Sequence, residues 1–351
     1  MKYRIYYFSA TGNTQKAVEL ITERLKKEGH EIELLRINRK SQPLPGTPDR
    51  MIFAFPTLSW VPPILVQRFV RRLPHGKKED GSRIKTAVIT ADGGGGLQSP
   101  DHLKRMLTRR GYDVFLSARA SYPDNWLQFV PGPDEKHKQE AIANGEKMTG
   151  EFIEKLIKEE REYYKVPFIH VLWSRLVGAL FAILGRRFMG KMFIADESCT
   201  SCRLCERSCP VKAIDIAKRK KARPYWKINC ESCNRCINIC PEKAIVSSNM
   251  RIGVLVVAIT ATIIIALGLY NGNIKPWLME TIPDPFFWFA NTLLVTIVVL
   301  FSHWFAIGPF DRFFLRYFQR IPGISKVFEK GFNKKFLRYT MTGYKAPRED
   351  L

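Results

Sequence analysis

The segment CTSCRLCERSCP occupies residues 199–210, and CESCNRCINICP occupies residues 230–241. Both segments have the spacing C-x2-C-x2-C-x3-C-P, so that Cys199 recurs as Cys230 and Cys209 recurs as Cys240. Together they contain all 8 cysteines of the 351-residue chain. Similarity at a fixed period predicts a duplicated half-domain with an approximate two-fold axis.

This spacing is typical of cysteines that hold iron–sulfur clusters, in which three closely spaced thiolates bind one cluster and the fourth reaches the other. We therefore predict two [4Fe-4S] clusters and a role in carrying electrons. The predicted ligands of the first cluster are Cys199, Cys202, Cys205 and Cys240. The predicted ligands of the second are Cys230, Cys233, Cys236 and Cys209.

Structural zinc is an alternative use of these thiolates. A zinc ion takes four ligands, typically from two C-x2-C pairs, which leaves the third cysteine of each run and the cysteine before each proline unexplained. Disulfides are disfavoured because C-x2-C-x2-C thiols in a chain without a secretory signal are typical of metal ligands. Residues 196–249 resemble the two-cluster bacterial ferredoxins, which implies an α+β fold for this segment.

The start of the chain indicates a second redox group. Residues 3–8 (YRIYYF) have the pattern of a buried strand, and residues 9–14 (SATGNT) open an amphipathic segment. Hydroxyls and backbone N–H groups at a helix N-terminus suit a phosphate dianion, because the donors point at the anion and the helix dipole favours its charge. Ordinary capping of a helix is the alternative. The candidate phosphate-binding residues are Ser9, Thr11, Gly12, Asn13 and Thr14.

The phosphate loop resembles the flavodoxin FMN-phosphate motif T/S-x-T-G-x-T. Strands predicted near 31–37, 50–55, 84–91 and 113–120 alternate with helices near 63–73, 98–110 and 135–160. This alternation is typical of an α/β doubly wound parallel sheet. The flavodoxin-like strand order 2-1-3-4-5 implies FMN outside the carboxyl ends of the strands. A dinucleotide fold is disfavoured because no G-x-G-x-x-G follows the first strand.

Three further loops should meet the phosphate loop at this edge. Trp60 in residues 56–63 can stack on a flavin ring, and the glycine run in residues 91–97 lets backbone approach a flat ring. A hydrophobic plug and a flexible turn are the respective alternatives. Residues 122–126 (YPDNW) resemble a proline–asparagine–aromatic loop of flavodoxin/ferredoxin-domain fusion proteins, although ordinary turn chemistry explains them equally well. These loops add the FMN candidates Thr57, Trp60, Asp92, Gly93, Gly94, Gly95, Asn125 and Trp126.

The order of the two redox parts, over residues 1 to about 249, resembles the bacterial and archaeal flavodoxin/ferredoxin-domain fusion proteins. The resemblance implies FMN and two [4Fe-4S] clusters in one chain. On this basis the redox domains end near residue 248 and hold their cofactors independently of the C-terminal third of the chain.

Two stretches beyond residue 250 predict a transmembrane α-helical hairpin. Residues 252–270 and 286–310 contain no Lys, Arg, Asp or Glu, and about 20 apolar residues suffice to cross the hydrocarbon core as a helix. The excess of Lys and Arg in residues 311–351 places the redox domains and the tail in the cytoplasm, with the loop 271–285 outside. A buried core hairpin is the alternative. His303 in the second span is interpreted as a packed or interfacial residue.

Residues 167–192 form a third apolar stretch, interrupted by Arg175. Spanning would cost about 2.5–3.5 kcal/mol for that arginine, so we predict an amphipathic helix at the membrane surface or between domains. The predicted organisation is a flavodoxin-like domain (1–160), an amphipathic linker helix (161–195), a ferredoxin domain (196–249), two transmembrane helices (250–310) and a basic amphipathic tail (311–351).

The net charge of +23 suits an anionic lipid membrane. Nucleic acid is disfavoured because the charge is dispersed and no nucleic-acid motif occurs. The basic run 218–221 suits either docking of an acidic electron carrier or a solvated hairpin tip.

These features favour two function classes. The first is a membrane-anchored electron-transfer protein that exchanges electrons with a ferredoxin- or flavodoxin-type partner or a membrane quinone. The second is an FMN-dependent reductase of a small or lipid-like substrate, fed by its own ferredoxin domain. Either would be an oxidoreductase in the broad sense, and we assign no catalytic side chain.

Overall fold

The computed structural model of the chain describes residues 1–78, 80–95, 98–218, 222–284, 286–319, 321 and 323–349. Its N-terminal part is a parallel sheet. The strands are β1 (Lys2–Tyr7), β2 (Glu31–Arg36), β3 (Arg50–Pro56), β4 (Lys85–Asp92), β5 (Asp113–Ser121) and β6 (Glu162–Tyr163). They are ordered β2-β1-β3-β4-β5-β6. The predicted flavodoxin-like order 2-1-3-4-5 is confirmed, and one strand is added at its end.

Helices cover both faces of this sheet. They are α1 (Asn13–Lys27), α2 (Ile64–Arg72), α3 (Ser99–Arg109) and α4 (Glu135–Ile157). In α1 the apolar residues Ala17, Val18, Ile21 and Leu25 are buried, at the spacing of a single helix face. Strands β3 and β4 have nearly continuous buried runs, as expected of parallel strands covered on both sides. Each buried large apolar side chain contributes roughly 1.5–3 kcal/mol.

The sheet extends past the predicted domain boundary at residue 160. Strand β6 pairs with Leu116 and Ser117 of β5, inside the segment that the sequence suggested was linker. A strand of 2 residues is too short to produce a period-2 pattern. The linker helix α5 (Phe168–Met192) therefore starts directly after the sheet ends.

The ferredoxin-like part consists of two similar halves. Strand β7 (Phe193–Ala195) precedes the first half, which contains α6 (Leu204–Arg207) and β8 (Ile214–Asp215). The second half contains β9 (Tyr225–Trp226), α7 (Arg235–Ile239) and β10 (Ile245–Ser247). Strand β7 pairs antiparallel with β10, and β8 with β9. The left-handed backbone of Ser201, Arg203 and Lys212 recurs at Ser232, Asn234 and Lys243. The backbone thus repeats with the same period as the cysteines.

Three helices in the described residues are long and apolar enough to cross a membrane: α5, α8 (Asn249–Thr281) and α9 (Phe286–Phe318). The last two form the predicted hairpin, but the turn between them is shorter than predicted. Helix α8 continues through most of the predicted loop, where Leu278 is buried. Just before that loop, Tyr270 donates to Asn291 Oδ1 of α9 at 2.7 Å. Around Pro309, α9 becomes π-helical, because proline has no N–H for the α-helical ladder.

A buried group of charges joins these helices to the ferredoxin-like part. Asp311 of α9 is fully buried and accepts hydrogen bonds from Lys191 Nζ at 2.6 Å, from the Tyr225 hydroxyl at 2.8 Å and from Arg251. Burying charges is costly, and removing one partner of such a pair costs about 3–5 kcal/mol. Both ends of the α8–α9 hairpin are therefore held against the same face of the ferredoxin-like part.

The C-terminal residues, predicted as a basic amphipathic tail, make contacts with both redox domains. After the short helix α10 (Ile324–Phe328), residues 333–349 fold back over both redox domains, and we name them the C-terminal strap. Asn333 accepts from Ser247 N at 2.9 Å and donates to Leu127 O at 2.7 Å. The strap carries polar side chains that satisfy backbone groups at the junction of the two domains, which an amphipathic pattern does not reveal. Arg219–Lys221 of the basic run and Arg320 of the tail lie outside the described residues.

Candidate cofactor sites

Four loops at the carboxyl edge of the sheet surround a cavity of about 500 Å³. They follow β1, β3, β4 and β5, and they meet because parallel strands present their carboxyl ends at one edge. The volume is within the range of small-molecule and cofactor sites. From these loops, the predicted residues that line the cavity are Ser9, Thr11, Asn13, Thr14, Thr57, Trp60, Asp92, Gly93, Gly95, Asn125 and Trp126.

The phosphate loop presents unpaired hydroxyls to this cavity. The side-chain oxygens of Thr14 and Thr57 are buried and have no hydrogen-bond partner. Thr11 Oγ1 accepts from Asn125 Nδ2 at 2.6 Å, which leaves its own proton free to donate. Buried polar groups without partners are uncommon in folded proteins. Thr11 and Thr14 lie at the N-terminus of α1, where the helix dipole favours an anion, and Thr57 adds a hydroxyl from the loop after β3. These residues fit the phosphate of FMN.

Gly12 shapes the loop from behind, outside the cavity lining. Its φ of 110° is a conformation that favours glycine, and a Cβ there would lie 2.4 Å from Met341 Cβ of the C-terminal strap. Asn13 lines the cavity, but its side chain is held by Pro123 O at 2.9 Å and by the Tyr339 hydroxyl at 2.6 Å. These two predicted residues therefore position the loop.

The remaining loops place flat and small residues at the cavity. Leu58 and Val61 exchange backbone hydrogen bonds at 3.0 and 3.1 Å, and this tight turn holds Trp60 with a φ of 65°. A Cβ on Gly93 would lie 2.8 Å from Asp124 Cβ, so only glycine allows the two loops this close. Gly94, which does not line the cavity, donates its N–H to Asp92 at 2.8 Å. Gly96 and Leu97, the end of the predicted loop, lie outside the described residues.

Two parts of the cavity wall come from outside the flavodoxin-like part. Val177 and Phe181 belong to α5, whereas Ser232 and Asn234 belong to the loop between the cysteines of the second run. Asn234 Oδ1 is buried and has no partner. No local pattern marks these residues, because their contact with the flavin loops arises only when the domains pack together.

The cysteines surround two small cavities of about 20 Å³ each. Cys199, Cys202, Cys205 and Cys240 line one of them. Cys209, Cys230, Cys233 and Cys236 line the other, together with Cys205. The structure therefore brings each predicted ligand set together, with the fourth cysteine crossing from the other run. Among the described residues, no group of His, Cys, Asp or Glu forms a site for a single metal ion.

The surroundings of these thiols fit a metal cluster. Burial raises the pKa of the Cys233 thiol to about 11, and burial also raises the pKa of Cys236 and of Cys230. Without a cation these side chains would stay neutral at pH 7, whereas iron ligation requires thiolates. Backbone N–H groups donate to sulfur at Ala213, which lies 3.2 Å from Cys209 Sγ, and at Ser232, which lies 3.4 Å from Cys230 Sγ. Such bonds stabilise the charge on cluster ligands.

The two cysteine cavities differ in their surroundings. We call the cavity lined by Cys199 the first-run cavity, the one lined by Cys230 the second-run cavity, and the one at the edge of the sheet the flavin cavity. Asn234 lines both the second-run cavity and the flavin cavity, so these two sites share a wall. The first-run cavity lies at the other end, where Cys202 is exposed and its carbonyl accepts from Arg207 at 2.7 Å. The three cavities therefore follow one another, from the first-run cavity with its exposed thiol, through the second-run cavity, to the flavin cavity.

Arg235 connects the second cysteine run to the phosphate loop. Its side chain is about 1% exposed, and it donates to the carbonyls of Ser9 and Ala10 and, at 2.7 Å, to that of Ser208. Its charge pairs with Glu349 of the C-terminal strap at 3.0 Å. A single side chain therefore fixes the position of the second cysteine run relative to the phosphate loop.

Replacing Thr11 and Thr14 together by alanine is expected to lower FMN affinity by at least about a hundredfold. The change removes two hydroxyls beside a dianion, each worth on the order of 1.5–3 kcal/mol. Fluorescence titration of the apoprotein with FMN and with riboflavin measures the effect, and only FMN should lose affinity. The matched control is Thr22→Ala, since Thr22 is a buried threonine of the same helix with an unpaired hydroxyl outside the cavity. Equal FMN binding in the double variant and the parent would show that the loop does not hold the phosphate.

Anaerobically prepared protein is expected to contain about eight iron and eight labile sulfide per chain. Cys202→Ser should reduce both contents by up to half, because the second ligand set stays complete. Metal and sulfide analysis checks this result. One or two zinc ions in protein kept free of oxygen would contradict it.

Comparison with known proteins supports a 4Fe-4S domain in the ferredoxin-like part of the chain. Residues 198–244 match the family described as 4Fe-4S dicluster domain. Among solved structures, the chain is similar to a flavodoxin from the domain Archaea, with 16% identity over 43% of this chain and 99% of that chain and a TM-score of 0.29. It is similar to the Streptococcus pneumonia TIGR4 flavodoxin, with 15% identity over 44% and 99% of the two chains and a TM-score of 0.30. No curated protein matches the chain.

Proposed function

Because the chain joins a flavodoxin-like sheet to a 4Fe-4S dicluster domain, we propose that it is a membrane-anchored electron-transfer iron–sulfur flavoprotein. The two cysteine sets would hold two [4Fe-4S] clusters, and the cavity behind the phosphate loop would hold FMN. When bound, each cluster exchanges single electrons, and FMN exchanges one or two. The protein residues hold these groups in sequence and separate them from water.

The observation that carries this proposal is the shared wall between the second-run cavity and the flavin cavity. Ser232 and Asn234 come from the cysteine loop and line the flavin cavity. Arg235 then anchors the same loop to the backbone of Ser9 and Ala10. A loop that contributes to both sites supports electron exchange between them within one molecule.

The first-run cavity, which is the exposed end of the three cavities, suits contact with a redox protein partner. Cys202 is exposed, Lys218 is exposed in the same half of the ferredoxin-like part, and Lys243 is exposed next to Glu242, which lines the first-run cavity. Basic groups around an exposed cluster site attract an acidic carrier and speed its association. We propose a ferredoxin- or flavodoxin-type protein as this partner.

The exposed apolar helices support a membrane position. Helices α8 and α9 carry exposed large apolar side chains along their lengths, and both ends of the hairpin contact the ferredoxin-like part. The start of α8 at Asn249 directly follows β10, and near the end of α9 Asp311 accepts from the Tyr225 hydroxyl of β9 at 2.8 Å. This arrangement supports two spans, with the redox domains and the C-terminal strap on one side. The excess of Lys and Arg favours the cytoplasmic side of a cell membrane.

Helix α5 is proposed to lie at the membrane surface. Near its middle, Gly178 packs against Val61 of the flavin loops, and near its end Gly190 packs against Cys230. A helix that touches both redox domains along its length supports the surface position over a third span. His303 of α9 is partly buried, which supports a packing role for this histidine.

The experiment is anaerobic reduction of the full-length holoprotein by a reduced ferredoxin, monitored by stopped-flow absorbance. We expect iron–sulfur absorbance to bleach first and flavin absorbance to bleach second. In Cys202→Ser, flavin reduction by the protein donor should slow by at least about tenfold, whereas a small viologen donor, which can reach the flavin directly, should act unchanged. Flavin reduction at the parental rate in Cys202→Ser would overturn electron entry through the first cluster.

A reductase of a small or lipid-like substrate is the second candidate function. It is favoured by the width of the flavin cavity and by its apolar wall of Val177 and Phe181. Both candidate functions use the same cofactors, so the identity of the electron acceptor distinguishes one function from the other.

A further inference from the structure

One wall of the flavin cavity comes from a helix that lies outside the parallel sheet. Val177 and Phe181 of α5 line the cavity together with Trp60. The helix is held there by close packing, since a Cβ on Gly178 would lie 2.3 Å from Val61 Cγ1. This wall is apolar, in contrast to the hydroxyls and amides at the phosphate end.

The outer face of α5 is apolar and exposed. At about 100° per residue, Val177 and Phe181 fall between this outer face and the packed face that carries Ser174 and Gly178. A molecule that lies on the outer face is therefore next to the cavity. The outer face consists of Phe168, Ile169, Leu172, Trp173, Leu176, Leu180 and Ile183, which are 50–81% exposed.

Membrane lipid is the covering that suits this face. Contiguous exposed apolar surface of this kind marks an interface. Near its end α5 is joined to the membrane hairpin, because Lys191 Nζ donates to Asp311 of α9 at 2.6 Å and Lys191 O accepts from Arg251 of α8 at 2.6 Å. Arg175 lies at the edge of the apolar face and is exposed, so it can extend to lipid headgroups as interfacial arginines do. One side of α5 then faces lipid, and its edge borders the flavin cavity.

We propose that the electron acceptor is an apolar molecule of the quinone class that reaches the flavin cavity from the membrane along α5. This inference rests on the proposed electron-transfer function and names its acceptor. Trp60 and Trp126 line the cavity and favour a planar ring, while the apolar wall favours a molecule dissolved in lipid. Each quinone takes up two electrons and two protons and leaves as the hydroquinone. The electrons come from two one-electron donor proteins of the ferredoxin class, each oxidised once, and the protons come from water.

The binding site can be located without measuring turnover. Full-length holoprotein in phospholipid nanodiscs is photolabelled with an azidoquinone that carries a prenyl tail, and the labelled peptides are mapped by mass spectrometry. We expect label on residues 173–181 or on the loops of Trp60 and Trp126, and excess unlabelled quinone should suppress it. Specific label confined to the apolar groove of Phe310, Phe314 and Phe328 would overturn the site, and so would label that unlabelled quinone does not suppress.

Charged side chains placed on the outer face of α5 test whether the quinone reaches the cavity through the lipid. The double variant Leu176→Glu, Leu180→Glu should lower apparent affinity for a long-chain quinone by at least about tenfold, while a short-chain, water-soluble quinone should bind as in the parent. The control is Leu34→Glu, which makes the same Leu-to-Glu change once, at a leucine of β2 that is 49% exposed. Equal loss for both quinones, or loss for neither, would overturn the membrane route.

A second variant keeps the test valid if the charged helix fails to dock. Val177→Trp retains an apolar surface but narrows the cavity edge, so photolabelling per bound FMN, with FMN content measured in the same sample, should fall by at least about tenfold. Undiminished labelling in Val177→Trp would overturn the position of the quinone. Flavin reduction by reduced ferredoxin is recorded in every variant. If the parent protein lacks that reduction, the electron-transfer function itself fails, whatever the labelling shows.

Discussion

Removing residues 339–351 is expected to lower FMN affinity by at least about a thousandfold, because the C-terminal strap holds the phosphate loop from behind. Met341 N donates to Thr11 O at 2.8 Å, and the Tyr344 hydroxyl donates to Ala10 O at 2.9 Å. Each such bond is worth about 0.5–1.5 kcal/mol. The deletion also removes Glu349 and leaves buried Arg235 without its carboxylate, at a cost of about 3–5 kcal/mol.

Flavin titration of the full-length and truncated apoproteins in the same detergent measures this effect. Single variants separate the loop contact from gross unfolding. Tyr344→Phe removes the bond to the loop and should weaken FMN binding by up to about tenfold, whereas Tyr317→Phe removes the hydroxyl of a tyrosine that is 66% exposed and should change nothing. A truncated protein that keeps parental FMN affinity would show that the strap is dispensable.

Replacing Arg235 by methionine is expected to uncouple the two redox domains. The variant leaves the carbonyls of Ser9, Ala10 and Ser208 without their donor, and Glu349 loses a buried partner. We expect the free energy of unfolding to fall by about 3–5 kcal/mol. Electron exchange between the clusters and the flavin should slow by at least about tenfold, because the shared wall at Asn234 is no longer held in place.

Denaturant unfolding and stopped-flow reduction measure these two effects, and iron analysis checks that both clusters are present. The control is Arg39→Met. Arg39 is exposed, and its backbone N–H, which the substitution retains, donates to Pro210 O at 3.1 Å. If Arg235→Met were reduced as fast as the parent, Arg235 would have no role in positioning the cofactors.

The C-terminal strap changes an expectation based on domain order. Domain order predicts that the redox domains end near residue 248 and bind their cofactors independently of the membrane segment. In the structure, Asn333 binds Ser247 and Leu127, and Tyr339 binds Asn13. The chain leaves the ferredoxin-like part, passes through the membrane hairpin and returns to the flavin loops. Deleting everything after residue 250 therefore removes the strap residues that hold the phosphate loop.

The sequence predicted the features that depend on local patterns. Strand and helix periodicity predicted the sheet order, because each parallel strand is buried on both faces and each covering helix has one apolar face. Cysteine spacing predicted which thiols meet, and the structure brings those sets together. The order of hydroxyls and Gly12 after the first strand predicted where the phosphate loop begins.

By itself, the sequence thus determined the two redox folds, the ligand spacing and the apolar helices, because each depends on residues that are close along the chain. Only the tertiary structure decided which cysteine cavity borders the flavin cavity, that α5 forms one of its walls, and that the tail returns as a strap. These features depend on contacts between residues far apart in sequence, such as Arg235 with Ser9, or Met341 with Thr11. A buried arginine and a polar strap satisfy backbone groups of another domain, and a single sequence carries no periodic signal for that kind of contact.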